Sequence, residues 1–387
     1  MDKIQNACRI CLPFCLLLSC FVPAPACTTA IVSAQASGTG RPMIWKQRDA
    51  DDGYNRIAYV HGKKYGFTAL FPTSDKDCRN AYAGINEAGF AITNNLSYNL
   101  RPDSVGVADT RNGELMTRAL GTCSSLDEFE AILVVEAHPM RFSANFAVID
   151  AFGGAAYFEV SDTAFVRFDV PKGGYLFRTN FSLSGDPDRG RGFARYATME
   201  EVTARQARRG FTPGFFLETG RTFRNVLTGG DALQASRGKY LYEHHFIPRS
   251  TTTASIVLEG IAPGGKADSG MLWCAIGYTP CSYAIPVWVA AGERIPSMLT
   301  GDAPANRLAE ELKWSIRPLS WDEKYLDVKS LRRILREVRK AERAELKAGR
   351  RLTSEMDRNG IDLRALERYN REAALRFKRF QTQLTSD

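Results

Sequence analysis

The chain has 387 residues, of which 44% are hydrophobic and 24% are charged, and its formal net charge is +8. It is long enough to bury one large core or two smaller ones, and its composition excludes wholesale disorder. The basic excess is concentrated in the C-terminal third, where acidic residues interrupt it. This pattern favours a solvated helix face over a nucleic-acid interface, so we expect no nucleic-acid partner.

Residues 1–26 are typical of a secretory signal peptide. Lys3 and Arg9 supply the positive start, residues 10–22 form an apolar stretch, and Ala24-Pro25-Ala26 is a small-residue cleavage pattern. The apolar stretch is short for a membrane span, which favours its removal. Cleavage after this pattern would leave a mature protein that begins at Cys27. We therefore expect a periplasmic or secreted protein.

An N-terminal Cys27 would carry a free α-amine and a thiol on the same residue. These groups titrate near ~7.7–8.0 and ~8.5 when unperturbed, close to ambient pH. Such a pair can act as a base and a nucleophile. A cysteine at a signal-peptide junction can instead anchor a lipid, and Leu17-Leu18-Ser19-Cys20 is the better lipid-attachment pattern. Position alone therefore leaves open a membrane-anchored lipoprotein lipidated at Cys20.

Between Cys27 and about Pro296, short strand-like runs are separated by Gly, Pro, Asn and Asp. Examples of these runs are residues 28–32, 43–46, 89–93, 146–149, 155–160, 255–259 and 285–289. Helical patterns occupy residues 114–120, 125–137 and 192–206. Strands arranged around intervening helices predict a layered α+β domain.

The character of the chain changes after Ala305. Strand-like alternation stops, and two charged helices are predicted over residues 327–350 and 362–383, with Arg358-Asn359-Gly360 as the turn between them. We therefore expect three segments: a signal peptide (1–26), a catalytic domain (27–305) and a charged helical segment (306–387) that packs on the core.

The first two predicted strands form a hairpin around the turn-rich residues 33–42. A reversal near Gly38 would place Cys27 opposite Asp49, within a residue or two. In that position Asp49 could hold the α-ammonium group and orient the thiol. The structural alternative is that Asp49 caps the turn that follows it.

Four motifs occur in a particular order along the chain. The first motif is Cys27-Thr28-Thr29 together with residues 40–49, and the second is residues 84–95, which end in Asn94-Asn95. The third is residues 178–185, centred on Asn180, and the fourth is Arg249-Ser250-Thr251, which precedes a strand. Together they resemble the N-terminal-nucleophile (Ntn) hydrolases, in particular the choloylglycine hydrolase, penicillin V acylase and acyl-CoA:6-aminopenicillanate acyltransferase group. The resemblance covers roughly residues 27–296. It implies a four-layer αββα sandwich, to which the sequence adds a helical C-terminal extension.

The resemblance also implies the chemistry. Cys27 would attack a linear amide of a small N-acylated substrate and form an acyl-enzyme. Asn95 would donate to the oxyanion, with the adjacent Asn94 as the alternative. Asn180 would hydrogen-bond the α-amine or the substrate, and Arg249 would balance and orient Asp49.

Lys46 departs from the family pattern, because bile-salt-type members carry arginine at this position. Lysine keeps the positive charge but lacks the planar guanidinium group that can hold a partner through two hydrogen bonds. Strict alternation also puts Lys46 on the opposite strand face from Asp49, unless the strand ends or bulges between them. Arg48 is therefore an alternative for this role.

We expect neither a cofactor nor a metal, since no histidine falls near a cysteine at ligand spacing. An acyltransferase or dipeptidase on the same fold, or a non-catalytic surface lipoprotein, remains an alternative. The identity of the substrate, the oligomeric state, and association of the basic helices with a membrane surface stay open.

Overall fold

The computed structural model describes residues 26–101, 111–136, 138–243, 245–319 and 322–385. Apart from Ala26, the predicted signal peptide lies outside the described residues, and so does the alternative lipid-attachment site at Cys20. Within the described ranges, no helix is both long enough and apolar enough to cross a membrane.

The secondary structure interleaves strands and helices up to about residue 300 and is mainly helical afterwards. The strands are β1 (Thr28–Val32), β2 (Met43–Asp49), β3 (Asn55–His61), β4 (Gly66–Pro72), β5 (Ala83–Asn86), β6 (Ala91–Leu96), β7 (Ala144–Ile149), β8 (Ala155–Val160), β9 (Phe165–Asp169), β10 (Tyr175–Arg178), β11 (Arg224–Asn225), β12 (Gly230–Asp231), β13 (Tyr240–Tyr242), β14 (Thr252–Glu259), β15 (Met271–Ile276), β16 (Ile285–Trp288) and β17 (Tyr325–Asp327). The helices are α1 (Asn112–Thr122), α2 (Leu126–Val135), α3 (Phe193–Ala207), α4 (Pro213–Thr219), α5 (Ala232–Ala235), α6 (Pro304–Ser315), α7 (Val328–Asn359) and α8 (Leu363–Thr385).

Two antiparallel sheets face each other and form the two inner layers. One has six strands in the order β10-β1-β2-β14-β15-β16, and the other has seven in the order β3-β4-β5-β6-β7-β8-β9. They meet mainly where β1, β2 and β14 cross β5, β6 and β7. Every residue of β1 and β2 is buried, because the six-stranded sheet is covered on both faces.

Helices form the two outer layers. Helix α1 packs on β4, β5 and β6, and Phe129 of α2 contacts Phe146 and Phe158 of the same sheet. On the opposite side, α4 packs on β14, and its Phe216 stacks on Trp45 of β2 with 5.6 Å between ring centroids. The expected four-layer αββα sandwich is therefore the observed fold.

The C-terminal segment continues the helical side of this sandwich. Leu331, Ile334, Leu335 and Val338 of α7 are buried in the same hydrophobic cluster as β14–β16. Helix α7 extends beyond the predicted end at residue 350, because Leu352 and Met356 prolong its buried stripe. It ends at Gly360, whose φ of 89° favours glycine.

Candidate active site

Cys27 lies immediately before β1, on the wall of a cavity of about 520 Å³. Its side chain is buried, with 7% exposure, and Ala26 before it is also buried. The cavity volume is within the range of small-molecule sites. The residues that line it include Lys46, Arg48, Asp49, Tyr82, Asn94 and Asn112. The structure therefore brings together the first two predicted motifs at one concave surface.

The β1–β2 hairpin forms as predicted, with a register one residue different from a reversal centred on Gly38. Thr28 pairs with Gln47, so Cys27 lies beyond the last pair, on a level with Arg48 rather than Asp49. The connecting segment causes the difference, because it contains a short 3₁₀ turn over Ala34–Ala36 instead of a symmetric reversal. The Cys27 Sγ lies 3.7 Å from the backbone oxygen of Asp49. The Cys27 thiol and Asp49 thus lie at the same end of the hairpin.

The Asp49 carboxylate is held by two donors at the end of β2. Thr252 Oγ1 donates to its Oδ1 at 2.6 Å, and Arg249 Nε donates to its Oδ2 at 3.1 Å. The β14 ladder is irregular between Thr252 and Ala254, where it pairs with this end of β2. Asp49 is therefore a fixed and charge-balanced group beside the cavity.

Lys46 is buried and points its ammonium group at the seven-stranded sheet. Its Nζ donates to the carbonyl oxygens of Tyr82 at 3.0 Å and Asn94 at 2.7 Å, and to Asn94 Oδ1 at 2.8 Å. Burial lowers the pKa of Lys46 to about 8; the neighbouring Cys27 opposes this effect and Arg48 adds to it. A cation with its pKa close to neutrality therefore lies within electrostatic reach of the thiol.

Arg48 lies on the same face of β2 as Lys46. Its guanidinium stacks on the Tyr82 ring, with 3.8 Å to the ring centroid. Its Nη1 donates to Thr253 Oγ1 at 2.6 Å and to the carbonyl oxygen of Asp52 at 3.2 Å. Both cations considered from the sequence therefore line the cavity, in different surroundings.

Asn94 and Asn95 lie on opposite faces of β6. Asn94 lines the cavity, and its Oδ1 accepts from Lys46. Asn95 is fully buried between the two sheets, where its Oδ1 accepts from Thr29 Oγ1 at 2.6 Å and its Nδ2 donates to the carbonyl oxygen of Thr179. The structure therefore places Asn94, and not Asn95, beside the cavity that Cys27 lines.

Asn180 connects the Cys27 segment to the seven-stranded sheet through Arg195. Asn180 Nδ2 donates to the carbonyl oxygen of Leu96 at 2.9 Å, and its Oδ1 accepts from Arg195 Nη2 at 2.8 Å. The Nη1 of Arg195 donates to the carbonyl oxygen of Cys27 at 2.8 Å and to Thr28 Oγ1 at 2.6 Å. Asn180 thus reaches the nucleophile candidate through a second side chain.

Arg195 was not singled out from the sequence. It lies near the start of α3 on the buried face shared with Thr198 and Met199. An arginine at a core position of an amphipathic helix was the available signal, because buried arginines are rare without partners. Burial, reinforced by the charge of Arg249, lowers the pKa of Arg195 to about 10, which still leaves it charged at neutral pH.

The Cys27 region is strongly cationic as a result. Lys46 and Arg48 line the cavity, Arg195 contacts the Cys27 carbonyl, and Arg249 pairs with Asp49. Such a field attracts anionic groups to the cavity. Within the described residues no cluster of His, Cys, Asp or Glu could hold a metal ion, and the five cysteines are free.

A family model matches the central part of the chain. Residues 49–206 match the acyl-coenzyme A:6-aminopenicillanic acid acyl-transferases. The predicted resemblance to the Ntn hydrolases is confirmed. The matched segment begins at Asp49 and contains Asn94, Asn180 and Arg195, whereas Cys27 lies before it.

Three solved structures are similar to this chain. An N-acylethanolamine-hydrolyzing acid amidase ortholog from Caenorhabditis elegans has 14% identity, covers 61% of this chain and 93% of its own, and gives a TM-score of 0.41. A mutant conjugated bile acid hydrolase from Clostridium perfringens has 12% identity, coverages of 68% and 92%, and a TM-score of 0.38. Penicillin V acylase from Agrobacterium tumefaciens has 15% identity, coverages of 68% and 86%, and a TM-score of 0.36. No curated protein matches the sequence.

Proposed function

We propose that the chain is an exported cysteine amidohydrolase that cleaves the linear amide bond of a small N-acylated substrate. The observation that carries the proposal is the position of Cys27 Sγ, on the wall of a cavity of about 520 Å³ that Lys46 and Asn94 also line. A thiol, a cation and an amide donor are the groups that acyl transfer through a thioester requires.

The reaction begins once the bond between Ala26 and Cys27 has been cut. The freed α-amine takes the thiol proton, and the resulting thiolate attacks the amide carbonyl carbon. The C–N bond then breaks, the ammonium group returns a proton to the departing nitrogen, and the acyl group remains on Cys27 as a thioester. Water attacks the thioester, which releases the carboxylic acid and restores the thiol.

Each neighbouring side chain has a separate role in this scheme. Lys46 balances the charge of the thiolate, and the Asn94 Nδ2 group donates to the oxyanion. The Asn94 Oδ1 accepts from Lys46 at 2.8 Å, which orients the amide so that Nδ2 is the remaining donor. Asp49 binds the α-ammonium group, and Arg249 keeps its carboxylate in place.

Arg195 acts as a positioning residue for the nucleophile. Its contacts with the Cys27 carbonyl and Thr28 Oγ1, at 2.8 and 2.6 Å, fix the backbone at the start of β1. Its third contact, with Asn180, ties this backbone to the segment that follows β10. The thiol therefore has a defined direction before substrate binds, which is the geometric condition for an efficient attack.

Maturation is tested by the mass and the N-terminal sequence of the exported protein. We expect a chain that begins at Cys27, because residues 24–26 form the cleavage pattern and a free amine is needed as the base. A protein that begins with lipidated Cys20 and is not cut further would contradict the mechanism, since the α-amine of Cys27 would stay in a peptide bond.

Activity is tested by screening N-acyl amides against the mature protein. We expect release of free amine by the wild type and a loss of turnover in Cys27→Ser. Cys123→Ser is the matched control, because Cys123 is also buried but lies at the end of α1, outside the cavity lining. Equal loss in both variants, or none in Cys27→Ser, would refute the role of Cys27.

Acyl transfer to an amine is the second candidate activity, because the matching family is one of acyl-transferases. The acyl-enzyme is the same in both reactions, and only the acceptor differs. Added glycine or hydroxylamine competes with water for the thioester. A dominant N-acyl product at low acceptor concentration would assign a transferase.

A further inference from the structure

Two buried cations of the cavity have no carboxylate partner in the described part of the chain. Lys46 is 2% exposed and Arg48 is 4% exposed. Within the described residues neither forms an ion pair, although Arg249 pairs with Asp49. A buried charge without a counter-ion is costly, so a site that keeps two of them is suited to anions.

In the proposed reaction, the negative charge that forms on Cys27 is the counter-ion of one of these cations, Lys46. Lys46 is the cation whose charge interacts with Cys27, and its three hydrogen bonds hold it beside Asn94. Arg48 therefore has no anion of its own among the described residues.

The guanidinium of Arg48 is fixed and only partly used. Stacking on Tyr82 at 3.8 Å and the two Nη1 hydrogen bonds set its plane. Its Nε and Nη2 make no hydrogen bond to any described residue. A planar arginine with a free edge binds a carboxylate through two parallel hydrogen bonds.

Asn112 is an independent indication of a ligand in the same cavity. It is the first residue of α1, lines the cavity, and is only 4% exposed. Both its Oδ1 and its Nδ2 are buried and have no hydrogen-bond partner among the residues that the structure describes. An amide group buried without a hydrogen-bond partner is destabilising, so a bound ligand is its natural partner.

The cavity's own carboxylates are already engaged elsewhere. Asp49 accepts from Thr252 and Arg249. Asp75 Oδ2 accepts from the backbone nitrogen of Asn80 at 2.7 Å. Neither carboxylate forms an ion pair with Arg48 in the described part of the chain.

We propose that Arg48 and Asn112 form a subsite for a carboxylate carried by the substrate. This inference rests on the proposed amidohydrolase function and narrows its substrates to acidic N-acyl compounds. Arg48 supplies the charge and the paired donors, and the Asn112 Nδ2 group supplies a further donor. The carboxylate belongs either to the departing amine, as in an N-acyl amino acid, or to the acyl group, as in a dicarboxylic monoamide.

Binding calorimetry on the mature Cys27→Ala protein tests the subsite without turnover. One pair of probes is phenylacetyl-glycine and phenylacetyl-glycinamide, which differ only at an amine-side carboxylate. The other pair is glutaryl-p-nitroanilide and butyryl-p-nitroanilide, which test an acyl-side carboxylate. In one of the two pairs, we expect the Kd of the acidic probe to be at least about 10-fold lower than that of its neutral partner. This ratio corresponds to the contribution of one charge-assisted hydrogen bond.

Variants in the same Cys27→Ala background assign the preference to the subsite. Arg48→Gln should abolish it, Arg48→Lys should keep part of it, and Asn112→Asp should reverse it by placing a second carboxylate against the ligand. Arg336→Gln removes a charge from the surface of α7 and should change nothing. A preference that is absent in both pairs, or that survives Arg48→Gln, would overturn the proposal.

The two levels of inference fail differently. Loss of acid selectivity in binding, with amide turnover intact in the Cys27 protein, would remove the subsite and leave the amidohydrolase. Selective binding without turnover of any amide would keep the subsite and remove the proposed reaction.

Discussion

The assignment of the oxyanion donor gives a sharp pair of substitutions. Asn94 and Asn95 are adjacent in the chain and identical in chemistry, but β6 turns them to opposite faces. We therefore expect Asn94→Ala and Asn95→Ala to fail in different ways, the first in catalysis and the second in stability.

The expected loss in Asn94→Ala is catalytic. Removing one oxyanion donor lowers kcat by about 10²–10³, or about 2.7–4 kcal/mol of transition-state stabilisation. The fold should be affected less, because Lys46 keeps its hydrogen bonds to the carbonyl oxygens of Tyr82 and Asn94 at 3.0 and 2.7 Å.

The expected loss in Asn95→Ala is structural. The substitution deprives Thr29 Oγ1 of an acceptor and the Thr179 carbonyl of a donor, both inside the sheet interface. Asn145 Nδ2 still donates to the Thr179 carbonyl oxygen at 3.4 Å, so the Thr29 hydroxyl is the group left without its acceptor. The free energy of unfolding should therefore fall by about 1–3 kcal/mol. Molecules that remain folded should retain most of their kcat.

The assay combines urea unfolding with kcat per folded active site, counted by thiol titration of Cys27. The substrate is whichever N-acyl amide the wild type cleaves. Full kcat in Asn94→Ala would exclude Asn94 as the oxyanion donor. A 10²-fold loss of kcat in well-folded Asn95→Ala would show that Asn95 takes part in catalysis, contrary to its position on the face of β6 away from the cavity.

Three further outcomes are expected. Burial lowers the pKa of Lys46 from 10.5 to about 8. Between pH 8 and pH 10.5 the unfolded chain therefore binds one more proton at Lys46 than the folded chain, and the free energy of unfolding should increase with pH across this range, by about 3 kcal/mol. Urea titrations should show this increase in the wild type and not in Lys46→Met. Glu342→Leu leaves fully buried Arg221 without its partner and should cost about 3–5 kcal/mol in urea unfolding, and an unchanged midpoint would contradict this. Arg195→Gln should lower kcat by about 10- to 100-fold, with partial rescue by Arg195→Lys, whereas a change confined to KM would exclude a role in positioning.

The pattern of residues along the chain was sufficient to predict the fold class and the hairpin formed by β1 and β2. Local turn chemistry and alternation locate the hairpin that carries Cys27 and Asp49, since both are short-range effects. The register differs by one residue because the connection contains a 3₁₀ turn, and its conformation depends on contacts such as the bridge between Ser37 and distant Phe211.

Motif order predicted which segments meet, but not which atom of each segment faces the cavity. The resemblance favoured Asn95 as the oxyanion donor, with Asn94 as the alternative, because a shift of one residue exchanges their faces. The choice follows from the packing of the two sheets, which buries Asn95 against Thr29 and leaves Asn94 beside Lys46. Arg195 was likewise invisible as a site residue until α3 was placed against the start of β1.

By itself, then, the sequence determined the candidate nucleophile, the layered α+β class and the asparagine-bearing segments, because these depend on local pattern. Only the tertiary structure decided which amide lines the cavity, that Arg195 contacts the Cys27 backbone, and that Arg48 forms no ion pair with any described residue. These are properties of contacts between elements far apart in the chain, where burial and the pairing of charges depend on how whole layers pack.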